Sequence, residues 1–309
     1  MLLAQSIQNI SIEFSDDSLV LLNVCLGFIM FGIALGINPN DFKIVSLRPK
    51  GVVTGVISQF LLLPLFTFLL VLLLTPHPAI ALGMILVAAC PGGNISNFIS
   101  SVSGANTALS VTLTGVATIL TPILTPVNFN LWANAIPETQ RYLESFSISF
   151  TDILTTVFLL LILPLAAGQF VRARFQKISK RIEKPIRVLS FILLMSFIGV
   201  ALLKNLEAFK DYLYVVFFLV LTHNAIAFLL GFLSAKIARL EMQGQRAIAI
   251  ETGIQNSGLG LIIIFTFFDG NGAMALVAAW WGIWHIISGM LLAAVLKWRD
   301  KRLISAKGV

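Results

Sequence analysis

The chain has 309 residues, 58% of them hydrophobic and 11% charged, with a mean hydropathy of +0.94 and a formal net charge of +7. Apolar runs of 18 or more residues recur along it, which excludes a soluble globular domain and predicts an all-α polytopic membrane protein. The basic residues sit between the runs, where they suit orientation and anionic headgroups, so nucleic acid is not an expected partner.

The first 17 residues contain no Lys or Arg, so no cleaved signal peptide is expected, and Asn9-Ile10-Ser11 matches a glycosylation tripeptide in form only. Nine spans follow, near 18–37, 50–74, 78–102, 106–130, 149–171, 188–204, 212–235, 247–268 and 272–297. The sixth is short, and the third, fourth and eighth carry breaks. With the N-terminus outside, all of the 21 Lys and Arg residues except Arg141, Lys204 and Lys210 fall inside. That asymmetry predicts N-terminus out and C-terminus in the cytoplasm, with an odd number of spans. Cys25 and Cys90 lie within apolar runs and offer neither a disulfide framework nor a zinc site.

Weak internal similarity points to a repeat. Gly32-Ile33-Ala34-Leu35, leading to Phe42, answers Gly199-Val200-Ala201-Leu202, leading to Phe209, at an offset of 167 residues. Phe60-Leu61-Leu62 answers Phe228-Leu229-Leu230 one span later. The register pairs the first span with the sixth. Five spans is an odd displacement, so the copies face opposite ways, as in secondary transporters. One membrane domain over 1–309 is expected, with a shortened four-helix repeat at 18–147 and a five-helix repeat at 148–300.

The eighth span holds Glu251-Thr252-Gly253-Ile254-Gln255-Asn256-Ser257-Gly258. A charge at the centre of a spanning helix costs about 2.5–3.5 kcal/mol by insertion scales, so Glu251 should be paired or face a cavity. Its polar and helix-weakening neighbours read as a broken helix whose freed oxygens hold a cation. A protonated glutamate gluing two helices is the plainer alternative. The corresponding third span is interrupted by Cys90-Pro91-Gly92-Gly93-Asn94-Ile95-Ser96-Asn97, where Pro91 removes a donor and the glycines weaken the helix.

Further oxygens lie nearby. Ser110 and Thr114, four apart, share one helix face, and Gln59 sits mid-span. Each has a plainer role, in backbone bonding or helix contact. As a set with Ser96, Asn97, Gln255 and Glu251 they present neutral oxygens and one carboxylate, which suits monovalent Na⁺ better than Ca²⁺. No phosphate-binding loop, metal-spaced histidine group or nucleophile with its base is visible, so neither ATP hydrolysis nor another enzyme activity is expected. His77, His223 and His285 read most simply as a loop residue and two packing residues.

These residues resemble the bile acid:sodium symporter family. The resemblance is carried by Cys90-Pro91-Gly92-Gly93, Ser96-Asn97 and the Glu251–Gly258 segment. Met30-Phe31-Gly32, Gln59-Phe60, Leu221-Thr222-His223-Asn224 and Trp284-His285 agree with it, and it runs from about Leu21 to Leu292. It implies a core domain with two crossed, unwound helices, a panel domain, and the absence of the first span of ten-span bacterial relatives. It also implies two sodium sites. The first would use Ser96, Asn97, Ser110, Thr114 and Glu251. The second would use Gln59, Glu251, Gln255 and the backbone oxygens of Thr252 and Ile254.

Substrate would touch Asn94, Asn256 and His285. Ile286 stands where some relatives carry a substrate-binding Asn, which puts bile acid itself in doubt. The expected function is sodium-coupled symport of an organic anion, whether bile-acid-like, a steroid conjugate or a small carboxylate such as pantoate or pyruvate. The alternative is a proton-coupled carrier or cation/proton exchanger using Glu251. The expected setting is the bacterial inner membrane, with the lipid bilayer and the organic anion as partners and no obligate protein partner.

Overall fold

In a computed structural model, described at residues 49–146, 150–204 and 206–306 and at scattered positions between 24 and 36, every regular element is helical. The N-terminus, Cys25, the loop with Lys43 and Arg48, and most of the expected first span lie outside the described residues. The positions described between 24 and 36 are helical, and Met30, Ala34 and Leu35 are buried.

The second span is α1 (Pro49–Ile57), a π-helical turn (Ser58–Leu62) and α2 (Leu63–Leu74). The wide turn has a local cause. Pro64 cannot donate to the carbonyl of Phe60, and the ladder reopens so that Leu63 N–H bonds Ser58 O. Ser58 and Gln59 are thereby buried in the protein interior.

The third span is split, as expected, into α3 (Pro78–Ala89) and α4 (Asn94–Val102). α3 is apolar all round and buried from Ala79 to Ala89, which is how a helix behaves when protein covers every face. Small residues let it approach its neighbours: a Cβ at Gly83 would lie 3.1 Å from Met274 Cα.

The expected break in the fourth span is not found. α5 (Thr107–Asn134) runs continuously through Pro122 and Pro126. Hydroxyls stitch its turns, Thr118 to Thr114 O at 2.7 Å and Thr121 to Ala117 O at 2.6 Å. Thr125 Oγ1 instead reaches Ala89 O, a terminal carbonyl of α3, at 2.7 Å.

A short helix, α6 (Pro137–Glu144), precedes α7 (Phe150–Arg174), α8 (Gln176–Lys204) and α9 (Leu206–Ile237). The expected sixth span lies within α8. Gln169 and Arg172 on α7 donate to the carbonyls of Ala34 and Leu35. The eighth span is split into α10 (Met242–Gly253) and α11 (Ser257–Phe267), and α12 (Gly272–Ala306) closes the described chain.

Among the described residues, six helices are long and apolar enough to cross a membrane: Pro49–Leu74, Thr107–Asn134, Phe150–Arg174, Val216–Ile237, Met242–Phe267 and Gly272–Arg302. The protein is an integral membrane protein. Its spans differ in place: 94% of the most apolar window of 242–267 is buried, against 22% for 150–174. The Glu251 span is therefore central and α7 peripheral.

Candidate functional site

The two broken spans meet at their breaks. Asn256 N–H donates to Cys90 O at 3.2 Å. A Cβ at Gly92 would lie 2.4 Å from Ile254 O, so only glycine permits the approach. Gly93 is different: its backbone is extended and a Cβ there meets nothing within 4 Å.

Glu251, on the last turn before its break, is 1% exposed. Its Oε1 accepts from Thr114 Oγ1 at 2.6 Å and its Oε2 from Ser110 Oγ at 2.8 Å. Asn97 Oδ1 lies 2.9 Å from Ser110 Oγ and 3.1 Å from Thr114 Oγ1. Ser96 Oγ lies 3.5 Å from Thr114 Oγ1 and donates to Gly93 O at 2.6 Å. The five residues expected to share one cation site thus converge from α4, α5 and α10.

The proton count at this cluster is short. Ser110 and Thr114 carry one hydroxyl hydrogen each, and each faces both Asn97 Oδ1 and a Glu251 oxygen. Two hydrogens cannot satisfy four such contacts. Oxygen lone pairs in excess of donors are what a hard cation needs, and a proton on Glu251 would also relieve the shortage. Among the described residues, no group of three His, Cys, Asp or Glu gathers anywhere in the protein, so a cation here meets neutral oxygens and one carboxylate.

The second expected set gathers at backbone carbonyls of the same break. Gln59 and Gln255 are 1% and 2% exposed. Gln59 Nε2 donates to Glu251 O at 3.4 Å, and Gln255 Nε2 to Thr252 O at 2.7 Å. Gln255 Oε1 is then left buried with no hydrogen-bond partner. A buried acceptor without a donor costs about 1–3 kcal/mol, and a cation would answer it. Ser58 Oγ, presented by the π-helical turn, lies 2.9 Å from Thr252 Oγ1.

Beside the crossing is a small pocket of about 10 Å³, lined by the break residues Pro91, Gly92, Gly93 and Asn256 and walled by Thr118, Thr121, Leu161 and Leu165. Asn256 also caps α11, its Oδ1 accepting from Leu259 N–H at 3.1 Å. The side chain of Asn94 lies outside the described residues. His285 does not line this cavity. It is buried in α12 with neither ring nitrogen hydrogen-bonded. Thr118 and Thr121 were not singled out from sequence, although they continue the Ser110–Thr114 face at helical spacing.

Residues 23–212 match the sodium bile acid symporter family. The chain belongs to that family. It is 34% identical over 272 residues to a protein of Bacillus subtilis named "Uncharacterized sodium-dependent transporter YocS", covering 88% of this chain and 81% of that one. It is 30% identical over 277 residues to "Probable sodium/metabolite cotransporter BASS1, chloroplastic" of Arabidopsis thaliana, covering 89% of this chain and 66% of that one. It is 27% identical over 288 residues to the sodium-dependent organic anion transporter of Mus musculus, covering 92% and 74%. Members of the sodium bile acid symporter family are sodium-dependent transporters, not enzymes.

Proposed function

We propose that this protein couples the inward movement of Na⁺ to uptake of a small organic anion. The reading is carried by the donor-poor oxygen cluster around Glu251. Two Na⁺ sites fit the chemistry. One is formed by Ser96, Asn97, Ser110, Thr114 and the Glu251 carboxylate. The other takes Gln59, Gln255, Glu251 and the backbone oxygens of Thr252 and Ile254. Each bound Na⁺ ties the α10 break to a different neighbour, α4 and α5 in the first site and the π-helical turn in the second.

The charges lead to the substrate. Two Na⁺ beside one carboxylate leave an excess of one positive charge, which an organic anion balances. Gly93 and Asn256, the cap residues of α4 and α11, line the cavity, so the positive ends of two half-helices face it. Sodium binding would order the two breaks and so complete the cavity floor, making substrate affinity depend on sodium. Asn94 and Asn256 are assigned to substrate contact, with His285 joining them in another state of the transport cycle.

The wider frame is nine spans in inverted repeats, 18–147 and 148–300, forming core and panel domains that move against each other for alternating access. The N-terminus faces outward and the C-terminus the cytoplasm, in a bacterial inner membrane.

The test is thermal unfolding of the purified protein across a NaCl titration, with choline chloride holding ionic strength constant. Saturable stabilisation in the wild type and its loss in Glu251→Ala are expected. Identical curves in Na⁺ and choline would overturn the sodium reading. The second reading, in which a proton on Glu251 supplies the missing hydrogen, predicts uptake that persists without Na⁺ at fixed pH and membrane potential.

A further inference from the structure

The unwinding after α10 leaves consecutive carbonyls to be answered from outside the helix. Glu251 O and Thr252 O face the glutamine amides described above. Gly253 O takes a 2.7 Å hydrogen bond from Asn224 Nδ2 on α9. A carbonyl only accepts, so the nitrogen of the Asn224 amide must face Gly253 and its oxygen must turn away. That oxygen accepts from Ser288 Oγ on α12 at 2.6 Å. The other acceptor within reach of Ser288, His285 O at 3.3 Å, is longer and weaker.

Asn224 is 1% exposed, so water does not compete for its amide. The same face of α9 holds Gly253 sterically. Phe228, one turn on, closes over it: a Cβ at Gly253 would lie 2.3 Å from the Phe228 ring. Gly231 continues the face, and a Cβ there would lie 2.6 Å from Ile248 O. Backbone contact between α9 and α10 thus brings the Asn224 amide up to the break.

We propose that Asn224, oriented by Ser288, is a positioning residue for the second sodium site. It withdraws Gly253 O from the ligand set and holds the break in place. The Ile254 carbonyl, the second lone pair of Thr252 O beside its bond from Gln255, and the unpartnered Gln255 Oε1 stay available to the cation together with Gln59. Gly253 O, which only accepts, fixes which end of the amide faces it, and Ser288 anchors the oxygen end by donating to it. This assignment rests on the sodium reading above.

The experiment is the Na⁺/choline melt on the full chain, comparing wild type with Asn224→Ala, Ser288→Ala and Ser288→Thr. Loss of a group that orients metal ligands typically weakens affinity roughly 10–100-fold. The half-saturating Na⁺ concentration should rise about 10-fold in Asn224→Ala and by a smaller factor in Ser288→Ala. Ser288→Thr, which keeps the hydroxyl, should restore the wild-type value. If Asn224→Ala does not fold, the two Ser288 variants still decide. A purely structural role would lower the melting temperature equally in Na⁺ and choline with half-saturation unchanged, and that result overturns the proposal. A wild type that ignores Na⁺ removes the sodium reading itself. A sodium-responsive wild type with unaltered variants removes only the positioning role.

Discussion

Thr114 Oγ1 donates to Glu251 Oε1 at 2.6 Å across 137 positions of sequence, joining the continuous helix α5 to the broken helix α10 at the carboxylate. A hydrogen bond to a charged group is worth about 1.5–3 kcal/mol. Thr114→Val keeps the shape and removes the hydroxyl. Half-saturating Na⁺ in the melt should rise roughly 10- to 100-fold, since about 1.4 kcal/mol is tenfold. Thr114→Ser, which retains an oxygen, should stay near wild type. Equal Na⁺ affinity in the valine variant would remove Thr114 from the site.

Neighbouring glycines should respond in opposite ways. Gly92→Ala places a methyl 2.4 Å from Ile254 O, with backbone on both sides and no flexible side chain to yield. It should abolish uptake and lower the melting temperature by several degrees. Gly93→Ala enters open space in an extended backbone and should leave the melting temperature within about two degrees, because an unstrained substitution of this kind changes stability by under about 1 kcal/mol. Melting curves and uptake for the two variants side by side make the comparison.

Arg246 on α10 forms a two-pronged pair with Asp300 on α12, both contacts at 2.6 Å, and donates to Ser103 O, the carbonyl just after α4, at 3.1 Å. Arg246 is 6% exposed and Asp300 38%. Breaking a buried pair costs about 3–5 kcal/mol and an exposed one under about 1, so a value between, about 1–3 kcal/mol, is expected for Asp300→Ala. Arg246→Ala should cost more, because it also frees the Ser103 carbonyl. Equilibrium unfolding in mild detergent would rank the two, and the reverse order would contradict the three-way contact.

His77 caps α3: its Nδ1 accepts from Ala79 N–H at 3.3 Å. Burial holds its pKa below the ordinary 6.5. The unfolded chain then binds the proton more readily than the folded one. Its stabilising contribution is present above pH 6.5 and is lost as pH falls through the lower folded value. His77→Asn offers a capping oxygen that does not titrate, so its melting temperature should fall less between pH 7 and pH 5 than that of the wild type. Parallel pH profiles would refute the assignment.

Much of this protein follows from local sequence. Long apolar runs must become helices in a bilayer because every backbone group needs a partner there, so the spans at 50–74, 149–171 and 272–297 were readable within a few residues. Pro91 and the polar run after Glu251 marked both breaks, since a missing N–H or a competing side chain disrupts a helix wherever it lies. The same reasoning misled at the fourth span. Pro122 and Pro126 are tolerated inside α5, which stays continuous through both.

What only the tertiary structure decided are relations between distant parts of the chain. The oxygens about Glu251 lie at separations of 137 and 141 residues, and no local period encodes which hydroxyl meets which carboxylate oxygen. Gly92 and Gly93 look alike in sequence, but a Cβ at one would strike the opposing break and a Cβ at the other would meet nothing. Asn224 and Ser288, 64 residues apart, are ordinary polar residues until α9 and α12 bring them together at the Gly253 carbonyl. Composition and periodicity determine what crosses the membrane, because the bilayer acts on each segment alone. The site exists only where separate segments pack, because its chemistry is a count of donors and acceptors contributed by all of them.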